Sequence, residues 1–527
     1  MERGYLSLIL HAHLPFVRHP EYDEFLEERW FFEALTETYI PLLGVFESLA
    51  GDGIDFALTL NLSPSLCSMM DDDLLQDRYI RYLDKMIELS QREMDRTRFD
   101  TQFHKLALMY CHRFRSTKDK FLNSYQRNLL AQFKKYQDQG SIEIITCAAT
   151  HGFLPLLGIQ SQIVKAQIRV GASSYRKFFG TNPKGIWLPE CGYFEGLDTL
   201  LKEEGIKYFL LETHGILFAR PRPRFGVYSS YYTKNKVAVF GRDHESSKSV
   251  WSSIEGYPGD YDYREYYRDI GFDLDYDYVK PYISPCGERI FTGIKYYRIT
   301  GPSAHRQPYI PEVASQKAAE HAGNFMFNRE KQVEYLHSVL GRKPILVAPY
   351  DAELFGHWWF EGIQWLNFLI RKIRYDQNTF QLTTPSRYLK IYPKNQVINP
   401  AASSWGWKGY YEVWLNGSND WIYPHLYRAG TKMVEASAKY GKNGDLHRRI
   451  LNQMARELLL AQGSDWAFMM KTGHFSEYAK RRTVTHLERF YLLKSYLDKN
   501  FVNYEVIEDI ERKDNIFPEI THSAFQP

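Results

Sequence analysis

Short apolar runs rich in β-branched residues alternate along the chain with longer segments whose apolar residues recur at helical spacing. The pattern predicts seven strands, at residues 5–10, 55–60, 142–149, 185–190, 208–213, 237–242 and 345–351. Strands that alternate with helical segments are typical of a parallel α/β architecture. A count of seven favours an incomplete barrel, because the complete form of this fold has eight strands.

Polar or ionisable residues follow nearly every predicted strand. They are His11 and His13, Asn61, His151, Glu190, Thr213 and His214, Arg242 and Asp243, and Asp351. In a parallel barrel the carboxyl ends of the strands carry the chemistry. The distribution therefore predicts an active site at one rim of the barrel.

Two helical regions interrupt or follow the alternation. Residues 61–139 read as amphipathic helices that are too long for one crossover, and predict a helical insert between the second and third strands. A tyrosine- and aspartate-rich loop region precedes a helix predicted from about Pro311 to Leu340, since proline favours a helix start. The predicted organisation is a barrel of residues 1–60 and 140–390, the insert 61–139, and a helical C-terminal domain of residues 391–527.

Charge and cysteine content narrow the class of protein. The 527 residues include 66 Lys and Arg against 63 Asp and Glu without a long run of one sign, which gives no support for a nucleic-acid or membrane-surface partner. The first apolar run, Tyr5 to Leu10, is too short for a signal sequence or a membrane span. Five scattered cysteines without CxxC spacing indicate reduced thiols. We therefore expect a cytoplasmic protein whose partner is neutral.

Aromatic residues make up 16% of the chain, with 39 tyrosines among them. Half-buried rings with a polar edge suit a wet cleft in which sugar rings stack, although a large aromatic core explains the same composition. Trp405, Trp407, Trp414 and Trp421 lie within 17 residues, between Gly, Ser, Asn and Asp residues that fit a cleft wall better than a core. Asp465, which precedes Trp466, repeats this pattern.

Two predicted strands end in an acid beside aromatic residues, Glu190 and Asp351. Two carboxylates that face one cleft are the minimum equipment for glycoside hydrolysis, one at the anomeric carbon and one protonating the leaving oxygen. Glu353 competes with Asp351 for the acid role, because residues two apart on a strand point the same way. Spacing alone does not separate them.

The histidines allow a different chemistry. His11 and His13 alternate on one strand face, and with His151 and an acid such as Asp351 they would make a plausible zinc site. Neutral hydrogen-bonding histidines are the competing interpretation, because sugar clefts need such donors. Cys191 follows Glu190 without a sequence cue for an activating partner, so it is interpreted as a small half-buried residue.

The motifs HAHLPF, ATHGFLPLL, GIWLPECGY and APYDAELFGHWWFEG, together with the tryptophan-rich block, resemble in order and spacing the five sequence regions of glycoside hydrolase family 57. The resemblance is greatest to its 1,4-α-glucan branching enzymes and covers nearly the whole chain. α-Amylases and 4-α-glucanotransferases share the family, so the motifs are less specific for the activity than for the family.

The resemblance implies a distorted (β/α)7 barrel with an inserted helical domain and a helical C-terminal domain over the cleft. It places the nucleophile on Glu190 and the acid/base on Asp351, in preference to Glu353, and it requires no metal or other cofactor. His11, His13 and His151 are then hydrogen-bond partners of the sugar. Trp405, Trp414 and Asp465 would line the same cleft.

The implied reaction is a retaining attack on an α-1,4-glucan such as amylose or glycogen, followed by transfer to a 6-hydroxyl or to water. A tyrosine-bearing loop is expected to favour sugar acceptors, and residues 225–236 offer Tyr228, Tyr231 and Tyr232. Branching is the leading hypothesis and a mainly hydrolytic α-amylase the alternative. More distant alternatives are a zinc-dependent carbohydrate hydrolase or deacetylase on His11, His13 and Asp351, and a non-catalytic glycogen-binding protein.

Overall fold

The chain folds around one curled, mostly parallel sheet. The computed structural model describes residues 2–252, 254–283, 287–301, 306–499 and 502–526. Within these ranges the strands are β1 (Gly4–Ala12), β2 (Leu58–Leu62), β3 (Ile142–Cys147), β4 (Gly185–Trp187), β5 (Tyr208–Leu211), β6 (Tyr231–Tyr232), β7 (Ala238–Gly241), β8 (Ile345–Asp351) and β9 (Phe380–Leu382).

The order of neighbouring strands is β6-β7-β5-β4-β3-β2-β1-β8, and β9 pairs with the first residues of β1. All pairs are parallel except β6 with β7. The seven predicted strands are confirmed, whereas β6 and β9 are too short, at two and three residues, to leave a pattern in the sequence.

The sheet curls into an incomplete barrel. Among the described residues no strand pairing joins β8 to β6 or β7. Between β7 and β8 the Asp243 amide donates to the Val347 carbonyl at 2.8 Å, and the Ile345 amide donates to the Tyr228 carbonyl at 3.0 Å. The predicted fold class, an incomplete parallel barrel with added helices, is confirmed.

Bulky side chains fill the inside of the curl. They form a separate buried cluster that includes Trp187, Cys191, Tyr208, Phe240 and Tyr388. A barrel of this size is a packed core and not a pore. The four described cysteines are free thiols, as predicted. All four are buried, including Cys191, which the sequence predicted to be half-buried. Cys286 lies outside the described residues.

Helices surround the sheet and continue beyond it. They are α1 (Glu28–Ala34), α2 (Ile40–Gly51), α3 (Pro64–Met70), α4 (Asp73–Arg96), α5 (Thr101–Asp119), α6 (Leu129–Asp138), α7 (Leu154–Leu157), α8 (Ser161–Phe179), α9 (Leu197–Glu203), α10 (Thr213–Leu217), α11 (His244–Trp251), α12 (Ile270–Asp273), α13 (Tyr276–Val279), α14 (Pro311–Leu340), α15 (Gly362–Tyr375), α16 (Pro385–Ile391), α17 (Ile422–Tyr440), α18 (Asp445–Ala461), α19 (Ser464–Thr472), α20 (Ser476–Lys499) and α21 (Tyr504–Lys513).

Shorter helical turns lie between these elements. Two are π-helical, Leu35–Tyr39 between α1 and α2, and Lys120–Ser124 after α5. The 3₁₀ turns are Pro189–Cys191, Tyr257–Gly259, Lys280–Tyr282, Ala352–Leu354, Trp407–Gly409 and His522–Phe525.

The predicted helical regions are helical. The helix α14 has the predicted bounds, and residues 61–139 contain α3 to α6. Asp72 begins α4 by accepting the Leu75 amide on its side chain at 3.0 Å, a normal N-cap. Residues 391–527 contain α17 to α21. No helix of the described residues is both long enough and apolar enough to cross a membrane.

The contact between α8 and β3 leaves no room for a side chain at Gly171. A Cβ built there would lie 2.2 Å from the Cys147 carbonyl oxygen, which is backbone and cannot rotate away. We expect Gly171→Ala to lower the free energy of unfolding by about 1–3 kcal/mol through overpacking.

Gly51→Ala is the matched control, because a Cβ at the end of α2 meets no atom within 4 Å. The measurement is the apparent melting temperature of each variant. Equal melting temperatures for Gly171→Ala and the parent chain would contradict the tight helix–sheet contact.

Candidate active site

A cavity of about 640 Å³ opens at the carboxyl ends of the strands. Four carboxylates, four histidines and a set of aromatic rings line it. They include the strand-end acids Glu190 and Asp351 and the histidines His11, His13 and His151. The lining residues are His11, His13, Leu14, His151, Glu190, Arg242, Trp251, Asp351, Glu353, Leu354, His357, Trp358, Trp405, Gly406, Val413, Trp414, Asp465 and Phe468.

Glu190 reaches the cavity from a turn and not from a strand. The strand β4 ends at Trp187, three residues before the predicted end, and Pro189–Cys191 form a 3₁₀ turn. Glu190 and Cys191 have φ of 61° and 50°, in the left-handed region that residues other than glycine seldom adopt. Such strain concentrates at functional sites, and here it turns the chain across the end of the strand.

The Glu190 carboxylate receives two hydrogen bonds from the C-terminal part of the chain. The Trp405 indole N–H donates to Oε2 at 2.6 Å, and the Ser464 hydroxyl bonds to Oε1 at 2.8 Å. Burial raises the pKa of Glu190 to about 7, while both hydrogen bonds oppose the rise by favouring the ionised form.

Parallel register aligns three polar residues on adjacent strands. His11 on β1 lies beside Asn61 on β2 and beside Asp351 on β8. His11 Nδ1 is 2.6 Å from Asn61 Oδ1, and His11 Nε2 is 3.1 Å from Nε2 of His151. Burial, and then the charge of neighbouring histidines, lowers the pKa of His11 and of His151 well below the usual range, so both rings are neutral near pH 7.

These groups form one chain of hydrogen bonds that ends at Glu190. The Asn61 amide nitrogen donates to the Ile145 carbonyl at 3.0 Å, so its oxygen faces His11 as an acceptor. His151 Nδ1 continues the chain to Ser464 Oγ at 2.8 Å. The four contacts from Asn61 to Glu190 need four hydrogens, and two neutral imidazoles and one hydroxyl supply three. With the Ser464 hydroxyl donating to Glu190, the contact between His11 Nε2 and His151 Nε2 is the one left without a hydrogen.

His13 is held apart from that chain. Its Nδ1 lies 2.8 Å from Ser63 Oγ, its Nε2 lies 3.1 Å from Asp465 Oδ2, and its ring stacks on His151 with centroids 3.9 Å apart. The predicted zinc set of His11, His13 and Asp351 is not among the described groups whose ligand atoms converge. Atoms of His13, His151 and Asp465 do lie within 4.8 Å of one another. Each has a hydrogen-bond partner in the protein, and we interpret all three as hydrogen-bonding groups.

Asp351 ends β8 in a different electrostatic environment. Burial raises its pKa well above the usual range, and the charges of Glu353 and Glu190 add to the rise, while Arg242 opposes it. Arg242 is itself paired with Glu212 at 2.9 Å. The surroundings of Asp351 therefore favour its protonated form, whereas the two hydrogen bonds to Glu190 favour an ionised carboxylate.

Trp405 and Trp414 line the cavity, where the sequence placed them. Trp414 stacks on Phe153 with centroids 4.7 Å apart. Sequence reasoning did not select Trp251, Trp358 or Phe468, which extend the same apolar wall.

The structure does not bring Tyr228 and Tyr231 to this cavity. Tyr231 pairs in antiparallel register with Val239 near the amino end of β7, whereas the cavity is at the carboxyl ends. The buried Tyr231 hydroxyl donates to the Gly226 carbonyl at 2.7 Å. The Tyr228 carbonyl accepts the amide of Ile345, the first residue of β8, so Tyr228 also lies near the amino ends of the strands. We assign neither a role in binding.

Ser464 and Tyr39 are site residues that sequence reasoning missed. Ser464 bonds to both Glu190 and His151, and the Tyr39 hydroxyl donates to Glu353. A serine and a tyrosine on helices carry no pattern that separates them from many others. The one available signal for Ser464 was its position beside Asp465 in the segment already selected.

Two family models match the chain. Residues 7–400 match glycosyl hydrolase family 57, and residues 425–525 match the C-terminal domain of 1,4-alpha-glucan branching enzymes. The second match contributes Asp465 and Phe468 to the cavity lining.

Curated proteins and solved structures also match over nearly the whole chain. The 1,4-alpha-glucan branching enzyme TK1436 of Thermococcus kodakarensis is 34% identical over 98% of this chain and 77% of its own length. Its crystal structure superposes with a TM-score of 0.89 at 33% identity, covering 100% of this chain and 97% of that one. The α-amylase AmyC of Thermotoga maritima superposes with a TM-score of 0.93 at 45% identity over 99% of both chains. The chain belongs to glycosyl hydrolase family 57.

Proposed function

We propose that the protein is a retaining 1,4-α-glucan branching enzyme, with Glu190 as nucleophile and Asp351 as acid/base. The observation that carries the proposal is the pair of buried carboxylates on one cavity, of which Glu190 receives hydrogen bonds and Asp351 faces like charges. Such an environment separates an ionised nucleophile from a protonated acid. The donor is an α-1,4-glucan such as amylose or glycogen.

In the first step a Glu190 oxygen attacks C1 of the glucosyl unit at the cleaved bond. The bond from C1 to the glycosidic oxygen breaks, and the departing oxygen takes the proton of Asp351. The product is a glucosyl ester of Glu190. His11, His13 and His151, with Asp465, line the cavity around the same unit.

In the second step an acceptor hydroxyl gives its proton to Asp351 as its oxygen bonds to C1, and Glu190 departs. A 6-hydroxyl of a glucan gives an α-1,6 branch, and water gives hydrolysis. The match of residues 425–525 to the branching-enzyme C-terminal domain supports branching. The similarity to AmyC, described as an α-amylase, makes hydrolysis the alternative to measure.

The cellular location belongs to the same proposal. The four described cysteines are free, and reduced thiols fit the cytoplasm, where a storage glucan is accessible. We propose a cytoplasmic enzyme.

Glu190→Gln and Asp351→Asn test the two catalytic roles. Each variant removes a group that forms or breaks a bond in the mechanism, so each is expected to lose at least 99% of the turnover on amylose, a fall of about 10² or more. The iodine absorbance and the reducing ends of amylose are followed over time. Normal turnover in the Glu190→Gln variant would contradict the assignment of the nucleophile.

The products formed from amylose decide between branching and hydrolysis. A branching enzyme is expected to form more α-1,6 linkages than new reducing ends, because each transfer conserves the total number of reducing ends. The linkages are counted by ¹H NMR of the anomeric protons and the ends by a reducing-sugar assay. An excess of reducing ends over α-1,6 linkages would assign the protein to the α-amylases.

Trp405→Phe tests how Glu190 is kept ionised. The substitution removes the indole donor to Oε2, so the pKa of Glu190 rises and activity is lost at a higher pH on the acid side. The acid limb of kcat/KM is expected to move up by about half a unit to one unit. Trp407→Phe is the control, because Trp407 is 69% exposed in the same block. An acid limb that moves equally in both variants would contradict a specific contact with Glu190.

A further inference from the structure

A third carboxylate, Glu353, lines the cavity and has no task in the proposed reaction. It lies on the 3₁₀ turn Ala352–Leu354, which follows β8, two residues after Asp351. The sequence left it as a competitor for the acid role. Its contacts indicate a different one.

Both donors that hold Glu353 reach the same oxygen. Oε1 accepts the Tyr39 hydroxyl and the backbone N–H of His13, the latter at 3.2 Å. A backbone N–H can only donate. Burial, and then the charge of Glu353, raises the pKa of Tyr39 far above the usual range, so the phenol keeps its proton as well. Burial raises the pKa of Glu353, and these two donors oppose that rise by favouring its ionised form.

A π-helical turn fixes the segment that carries Glu353. Residues Leu35–Tyr39 present Tyr39 to Glu353, and present Glu37 to His357 Nδ1 at 2.5 Å. Gly356, with φ of 99°, packs so tightly that a Cβ there would lie 1.9 Å from the Glu37 carbonyl oxygen. π-helical turns often lie at functional sites. This one holds the turn after β8 at three points.

The Asp351 carboxylate accepts no hydrogen bond from any described group. The charged groups that face it are Glu353 on its own turn, Glu190 from the turn after β4, and Arg242 from the end of β7. His11, its neighbour on β1, is neutral because burial lowers its pKa. When Glu190 forms the glucosyl ester it loses its charge. Glu353 forms no covalent bond in either step, so the reaction itself does not neutralise it.

We propose that Glu353 is a positioning residue for proton transfer, whose fixed negative charge holds the proton on Asp351 before bond cleavage and strengthens Asp351 as a base afterwards. The role rests on the reaction proposed above. Glu353 is held by two donors close to Asp351. It therefore acts through Asp351 and need not contact the glucan.

Glu353→Gln tests the proposal, because the amide keeps the shape and one oxygen for the Tyr39 and His13 donors but removes the charge. The alkaline limb of kcat/KM on amylose reports loss of the Asp351 proton. It is expected to move to lower pH by about one unit, while the acid limb from Glu190 moves much less. Glu353→Asp retains the charge, and its limb is expected to return toward that of the parent enzyme.

An activated donor isolates the proton transfer. Fluoride leaves α-maltoheptaosyl fluoride without protonation, so the first step on this donor needs no acid. The burst of fluoride release in Glu353→Gln is expected to match that of the parent enzyme at high pH, where turnover on amylose is lost. A deficit of equal size on both donors would overturn the proposal, since damage to the cavity affects both.

A second variant covers a failure of Glu353→Gln to fold, which circular dichroism would reveal. Tyr39→Phe removes one donor that offsets the Glu353 charge, so the pair of carboxyls holds its last proton more tightly and the alkaline limb is expected to move to higher pH, opposite to its shift in Glu353→Gln. An unmoved limb in the folded variants overturns the role of Glu353 alone. An Asp351→Asn variant with normal turnover on amylose overturns the acid/base assignment, and the role of Glu353 with it.

Discussion

The cavity depends on the hydrogen bonds of Trp405 and Ser464 to the buried Glu190 carboxylate. The barrel alone ends in open turns, and the C-terminal half of the chain closes them. The Ser464 amide donates to the His151 carbonyl at 3.0 Å, and the Trp405 amide donates to the Glu190 carbonyl at 2.9 Å. Because those same two residues also bond to the carboxylate, the chain segments that close the cleft also set its charge. The two matched family domains therefore meet at one functional group.

Burial alone would give Glu190 and Asp351, the two proposed catalytic carboxylates, the same character. It raises the pKa of each, and their neighbours then separate them. Glu190 receives two hydrogen bonds, which stabilise an anion, while Asp351 faces two carboxylates, which destabilise one. The hydrogen-bond chain through His11 and His151 adds a further constraint, since it is one hydrogen short when Glu190 is ionised.

The sequence predicts the parts of this site that depend on strand ends. Parallel strands bring their carboxyl ends to one rim, so His11, Asp351 and Glu190 could be placed together from their positions after apolar runs. It could not place Ser464, because the contact to Glu190 spans 274 residues and depends on how α19 packs on the barrel. Tyr231 was expected at the cleft as part of a tyrosine-bearing loop. It lies instead on a two-residue strand that pairs near the amino end of β7, away from the cavity.

The choice of acceptor must be made by the walls of the cavity and not by its carboxylates. In the proposed mechanism water and a glucan 6-hydroxyl both give a proton to Asp351, so a stronger base accelerates both and selects neither. An apolar surface does discriminate, because it binds the C–H face of a sugar ring and offers water no hydrogen bond. Trp251, Trp358, Trp405 and Trp414 provide that surface here. An α-amylase and a branching enzyme share this backbone fold. The difference between transfer and hydrolysis therefore lies in how such rings order the acceptor and exclude water during the lifetime of the proposed glucosyl ester.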